Sequence, residues 1–255
     1  MNNLFLRVKV LILIPVFFFA VNANVLPQDT SKVKPVSKKS DLIQFILPAA
    51  LVGFGLTCFD KNNIAPNNTN VYDWRQRNYK DFHTRADDFL AFAPTVAAYG
   101  LQFLGVKGTN DWKKMTLIYA ATNAILFGTA EGLKMITKNY RPDSSDTESF
   151  PSAHAAFVFA AADMLNFEYG SKSVWISIAG YTTATAVGMI RILNNKHWIS
   201  DVFVGAGIGI LSNRLAYLLY DKLIKNKSGK GNNLNFMFSP DIKNKGMKFG
   251  LQFKI

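Results

Sequence analysis

Between residues 42 and 220 the chain alternates apolar stretches of helical length with polar breaks. The stretches are 42–59, 89–106, 115–134, 153–167, 174–190 and 201–220. The first break, 60–88, is the longest and carries Asn62, Asn63, Asn67, Asn68 and Asn70. Shorter breaks fall at 107–114, 138–150, 168–173 and 191–200. The later stretches are rich in Ala, Gly, Ser and Thr, residues that let helix backbones approach closely. The pattern predicts an all-α, six-helix up-and-down bundle. Several stretches approach the ~20 apolar residues needed to cross a bilayer, so the bundle is expected to be membrane-embedded. Shorter buried core helices of a soluble protein are the competing reading. In a membrane bundle, Glu131, Asp163 and Arg214 must face the interior or lie near helix ends.

The ends follow other patterns. Arg7 and Lys9 precede an apolar run over 10–21, and Val21-Asn22-Ala23 offers small residues for cleavage. That layout predicts a signal peptide over 1–23, followed by a polar tether over 24–41. At the other end, Met247, Phe249, Leu251, Phe253 and Ile255 alternate with Lys, Gly and Gln, as Leu234, Phe236 and Phe238 alternate before them. This period of two predicts a short β-hairpin within a basic tail, 221–255.

Charge sharpens the division. The 255 residues hold 29 Lys and Arg against 17 Asp and Glu, a net of +12. Ten of those net charges lie in 1–41 and 221–255, leaving the body of 42–220 nearly neutral. A nucleic-acid-binding face would concentrate its charge on the folded domain; basic ends beside an apolar body suit a membrane surface. The single cysteine, Cys58, excludes an intrachain disulfide framework and a multi-cysteine zinc site. Connections on one face of the expected bundle carry 12 Lys and Arg and those on the other carry 9. The positive-inside rule therefore turns the second face away from the cytosol. If 42–59, interrupted by Pro48, Gly53 and Gly55, lies along the surface, five spans give that orientation.

Three points on that second face combine chemistry-bearing residues. In the first, Lys134 and Arg141-Pro142 are seven residues apart, a spacing that would put both cations on one helical face with proline ending the helix. A basic stripe at a membrane interface is the plainer explanation. In the second, Pro151-Ser152-Ala153-His154 opens an apolar helix, where backbone N–H groups and the dipole favour an anion. Ser152 as an ordinary N-cap is the alternative. In the third, Arg191 precedes His197, and Asp201 follows it by four residues. A carboxylate on one ring nitrogen would fix the tautomer and leave the other nitrogen as base or nucleophile. A structural His–Asp pair at a helix start would look the same.

Taken together, Lys134-x6-Arg141-Pro142, Pro151-Ser152-x-His154 and Arg191-x5-His197-x3-Asp201 resemble the three motifs of the type 2 phosphatidic acid phosphatase (PAP2) superfamily, over roughly 42–220. Ala153 stands where the family usually has Gly, and Ile190 where it usually has Ser. The resemblance implies a metal-independent, cofactor-free phosphatase acting on a lipid phosphate of the bacterial cell envelope: phosphatidate, phosphatidylglycerophosphate, polyprenyl pyrophosphate or lipid A. It implies that Lys134, Arg141 and Arg191, with Ser152 and the Ala153 backbone, hold the phosphate. His197 would attack phosphorus, Asp201 would hold its ring, and His154 would exchange protons with the leaving group and water. Membrane lipids and the substrate are the only partners expected, and the site would face the periplasm from the inner membrane. A vanadate-dependent haloperoxidase uses a similar constellation, and a non-catalytic lipid-phosphate binder would share its charges. Glu131 is expected to pair with Lys134. The 60–88 stretch, with His83, is expected to be a solvated lid or interfacial segment, with contact to substrate head groups as the lesser alternative.

Overall fold

The computed structural model describes residues 40–62, 66–225, 234–241 and 246–253, so the expected signal peptide and most of the tether lie outside the described residues. The chain divides into two compact units, up to 214 and from 215 onward. The first is entirely helical among the described residues. Helix α1 spans Ser40–Thr57 and runs through Pro48 without a break. Helices α2 (Asn68–Asn78), α3 (Ala86–Leu90) and α4 (Ala93–Phe103) follow. Then come α5 (Trp112–Thr137), α6 (Ala153–Tyr169), α7 (Val174–Leu193) and α8 (Ile199–Tyr220).

Polar residues at the breaks cap these helices as their chemistry dictates. The Asp111 carboxylate accepts from the Lys113 and Lys114 N–H groups at the start of α5, and Ser173 accepts from Trp175 at the start of α7. The core lies where α6, α7 and α8 meet, with Val158, Phe159, Ala162, Ala184, Val187, Val202, Phe203 and Ala206 buried together. Close approach depends on glycine. A Cβ on Gly205 would lie 2.5 Å from the Ser152 carbonyl oxygen, and one on Gly207 would lie 2.7 Å from that of Pro48. Helix α8 is thus pressed between α6 and α1 at main-chain distance.

The interior also holds a charged network. Asp163 on α6 accepts from Tyr181 on α7 at 2.6 Å and from Asn213 on α8 at 2.9 Å, and pairs with Arg214 at 3.0 Å. Arg214 also donates to the Gln44 carbonyl of α1, and Thr122 of α5 donates to Asn213. Apolar side chains meanwhile face outward, including Ile46 on α1, Val96 and Phe103 on α4 and Trp175 on α7.

The expected six helices are eight among the described residues, because α2 forms in the first break and 89–106 divides between α3 and α4, and two finer expectations also need correction. The polar 60–88 stretch is not solvated throughout: Asn67 accepts from the Asn70 N–H at 2.8 Å and starts helix α2, which buries Val71 and Arg75. Helix α5 does not reach Arg141. It ends at Thr137 because Lys138 turns left-handed (φ 44°), with its N–H on the Lys134 carbonyl. Lys134 and Arg141 therefore do not share a helical face.

In the second unit, α8 passes into a π-helical turn at Asp221–Lys225. Strands β1 (Leu234–Asp241) and β2 (Gly246–Phe253) pair antiparallel, with Leu234 opposite Phe253.

Candidate active site

The three motifs meet through short hydrogen bonds between loops. Past α5, the Asn139 carbonyl accepts from the Ser149 N–H at 3.0 Å, and the Ser152 N–H donates to the Asp201 carbonyl at 3.1 Å. The Trp198 indole N–H donates to the Tyr140 carbonyl at 2.7 Å. Ser152 is the N-cap of α6, its hydroxyl accepting from the Ala155 N–H at 3.4 Å. The plain capping reading of Ser152 is thus observed. A capped helix start still directs its remaining N–H groups outward.

His197 is buried between the second and third motifs. Its Nδ1 lies 2.8 Å from the Ser149 carbonyl oxygen and 3.5 Å from the Asp201 carboxylate. The main-chain carbonyl, and not Asp201, is therefore the close acceptor. With Nδ1–H donated to it, the lone pair is left on Nε2. Asp201 instead gathers the surrounding chain, accepting from the Ser149 hydroxyl, from the Trp198 N–H at 2.8 Å and from the Ser200 hydroxyl at 3.3 Å. Burial pushes the His197 pKa below the usual imidazole value; Asp201 opposes this, while Arg191 and Arg141 add to it. The net direction favours the neutral ring, the form that can act as a nucleophile.

Arg191, at the end of α7, is clamped by a residue with no counterpart in the sequence reading. One guanidinium nitrogen donates to Asp87 at 2.7 Å. Asp87 is 1% exposed and also accepts from Asn194 at 3.2 Å. Asn194 in turn exchanges hydrogen bonds with the Thr84 main chain. Arg191 Nε is buried and has no acceptor among the described residues. Buried N–H groups are almost always paired in folded proteins, so this donor suits an anion. The next residue along, Asp88, brings its carboxylate to 3.3 Å from His154 Nε2. Burial, and then Arg191, lower the His154 pKa, while Asp87 and Asp88 work against them.

The 60–88 stretch is thus part of the site. Arg75 Nε donates to the Leu193 carbonyl at 3.0 Å, and Asn68 accepts from the Ser200 N–H at 3.1 Å, so α2 braces both ends of the third motif. Asp87 and Asp88 lie more than a hundred residues before Arg191 and follow no motif spacing, which hid them from the sequence reading. Adjacent carboxylates at a helix start were the one available signal. His83, by contrast, is exposed and joins none of the three motifs.

Each remaining cation has its own carboxylate. Lys134 donates to Glu131 at 2.7 Å, as expected from their spacing. Arg141 donates to Asp146 at 2.7 Å and reaches the Lys196 carbonyl at 3.5 Å. Lys196 pairs with Asp143 at 2.7 Å. Burial would raise the Asp143 carboxyl, but hydrogen bonds from Lys196 and Ser145 hold it down to about 2. Arg141 acts on His197 electrostatically and Arg191 on both imidazoles. Among the described residues, Lys134 makes no hydrogen bond to the other two motifs.

Cationic side chains and two imidazoles are thus gathered around buried main chain between helix ends, an arrangement whose chemistry suits an oxyanion. The sequence model of the PAP2 superfamily matches residues 113–225. The chain is 37% identical over 161 residues to the lipid A 1-phosphatase of Porphyromonas gingivalis. That alignment covers 63% of this chain and 36% of the relative, so the chain spans little more than a third of that protein's length. Two solved structures are also similar. Aquifex aeolicus LpxE has 22% identity over 57% of this chain and 93% of its own, with a TM-score of 0.44. The first transmembrane PAP2 type phosphatidylglycerolphosphate phosphatase from Bacillus subtilis has 18% identity over 69% of this chain and 96% of its own, with a TM-score of 0.43.

Proposed function

We propose that this chain is a lipid phosphate phosphatase working through a phosphohistidine on His197. The observation that carries the reading is the buried His197, its Nδ1 on the Ser149 carbonyl, together with Arg191, whose buried Nε has no acceptor among the described residues. A lone pair and an unused cationic donor are what in-line attack on a phosphate requires. The Nε2 lone pair forms the N–P bond, the P–O bond to the lipid breaks, and the bonding pair leaves with the lipid oxygen, which takes a proton from His154. Neutral His154 then accepts a proton from water as the water oxygen attacks phosphorus, and the N–P pair returns to His197.

Arg141, Arg191 and Lys134 bring three positive charges to a group carrying up to two negative ones, and so stabilise its equatorial oxygens during transfer. The Ala153 N–H and the Ser152 cap complete the phosphate side. Asp201 keeps the loop of the nucleophile in place. A phosphate must share or displace the carboxylates now on Arg141 and Lys134, so binding strengthens where Asp146 and Glu131 turn to solvent.

Lipid A bearing a 1-phosphate is the first substrate to assay, since the relative is named for it; phosphatidate, phosphatidylglycerophosphate and polyprenyl pyrophosphate are the comparisons. The active face is assigned to the periplasmic side of the inner membrane, in keeping with the excess of Lys and Arg on the opposite connections. In detergent micelles the protein is expected to release phosphate from at least one of these lipids, and His197→Ala to release none. Activity retained by His197→Ala would exclude the phosphohistidine route.

A further inference from the structure

The two acidic residues at the start of α3 serve different partners. Asp87 is buried against Arg191, whereas Asp88 is partly exposed, with 46% of its side chain accessible, and meets His154 Nε2 at 3.3 Å. Partly exposed pairs of this kind contribute little to folding stability, so the contact has its main effect on how the ring is held. His154 is the second residue of α6, and its backbone is fixed by the Ser152 cap. The charged group at contact distance from the ring is then the Asp88 carboxylate beside Nε2. The other charged groups that act on the ring are Arg191 on α7 and Asp87 on α3, and among the described residues the further ion-pair partner of Asp88 is the exposed Arg85, at 3.8 Å.

We infer that Asp88 is the positioning carboxylate of the acid–base group, holding Nε2–H of His154 so that Nδ1 is the nitrogen that trades the proton. The inference rests on the phosphatase reading above and adds to it a residue and an atom. In the first step protonated His154 keeps Nε2–H on Asp88 and gives the Nδ1 proton to the lipid oxygen as the P–O pair departs. In the second, Nδ1 takes a proton from the attacking water while Nε2–H stays where it was. Asp88 neither gains nor loses a proton in either step. Its negative charge also favours the imidazolium needed at the outset, offsetting the Arg191 guanidinium nearby.

The test exploits the leaving group. An alkyl or glycosyl oxygen departing from a lipid phosphate needs a proton, whereas the phenolate of p-nitrophenyl phosphate departs without one. In detergent micelles, Asp88→Asn should lower kcat/KM for the lipid phosphate by about 10- to 100-fold, and that for p-nitrophenyl phosphate by about threefold at most. The alkaline limb of the lipid kcat/KM profile should move to lower pH, because the variant loses an influence that keeps His154 protonated. Asp88→Glu should recover much of both. Equal losses on the two esters in Asp88→Asn, or an alkaline limb that does not move, would overturn the inference. A wild-type protein inactive on every phosphate ester would instead remove the phosphatase reading on which it stands.

Discussion

Asp87 and Arg191 form a pair that must be kept whole. The carboxylate is 1% exposed and the arginine 9%. Removing one partner of such a pair leaves a charge in a low-dielectric surrounding, which costs about 3–5 kcal/mol. Asp87→Ala is therefore expected to lose that much stability in detergent-solubilised unfolding, and to weaken phosphate binding as Arg191 loses its orientation. Asp87→Asn, which keeps a hydrogen-bond acceptor, should lose less; equal stability of wild type and Asp87→Ala would contradict the clamp. The sequence offered Arg191, His197 and Asp201 at once, because their spacing within one short break makes them neighbours whatever the fold. It could not offer Asp87, Asp88 or the Ser149 carbonyl. The first two come from a distant polar stretch, and a main-chain acceptor has no residue type to read.

Helix packing puts the tightest demands on α8. A Cβ on Gly209 would come within 2.9 Å of the Ala156 carbonyl carbon and closer still to its oxygen. Gly209→Ala must push α8 from α6, and overpacking of this kind costs roughly 1–3 kcal/mol. Because Ser152, His154 and Asp201 hang from the neighbouring ends of those helices, phosphate release should fall along with the unfolding midpoint. Gly53, with nothing within 4 Å of an added Cβ, is the control and should tolerate alanine in both measurements. Apolar stretches told where α5, α6, α7 and α8 lie, since long buried faces leave a strong pattern. Helix α2 escaped that reading: its composition is polar, and it forms through the Asn67 cap and the burial of Val71 and Arg75. The end of α5 escaped it too. Pro142 suggested a stop at Arg141, but the left-handed turn at Lys138 comes first.

On the scale of the whole molecule, α7 and the segment Ile199–Leu223 are long and apolar enough to cross a membrane. Positive charge gathers in the tail, beyond α8. If the active face is periplasmic, a fluorescent reporter that matures only in the cytosol should be bright when fused at Lys222, and a periplasm-dependent phosphatase reporter there should be silent. The opposite pair of signals would turn the orientation over. The network around Asp163 bears on how such a molecule is built. Asp163 belongs to α6, yet its counter-charge, Arg214, is synthesised 51 residues later on α8. Until α8 arrives beside it, α6 holds a buried carboxylate without that counter-charge. Helices α6 and α8 must therefore come together before that charge is balanced, which makes the second half of the chain the stretch over which assembly has to be completed as a unit.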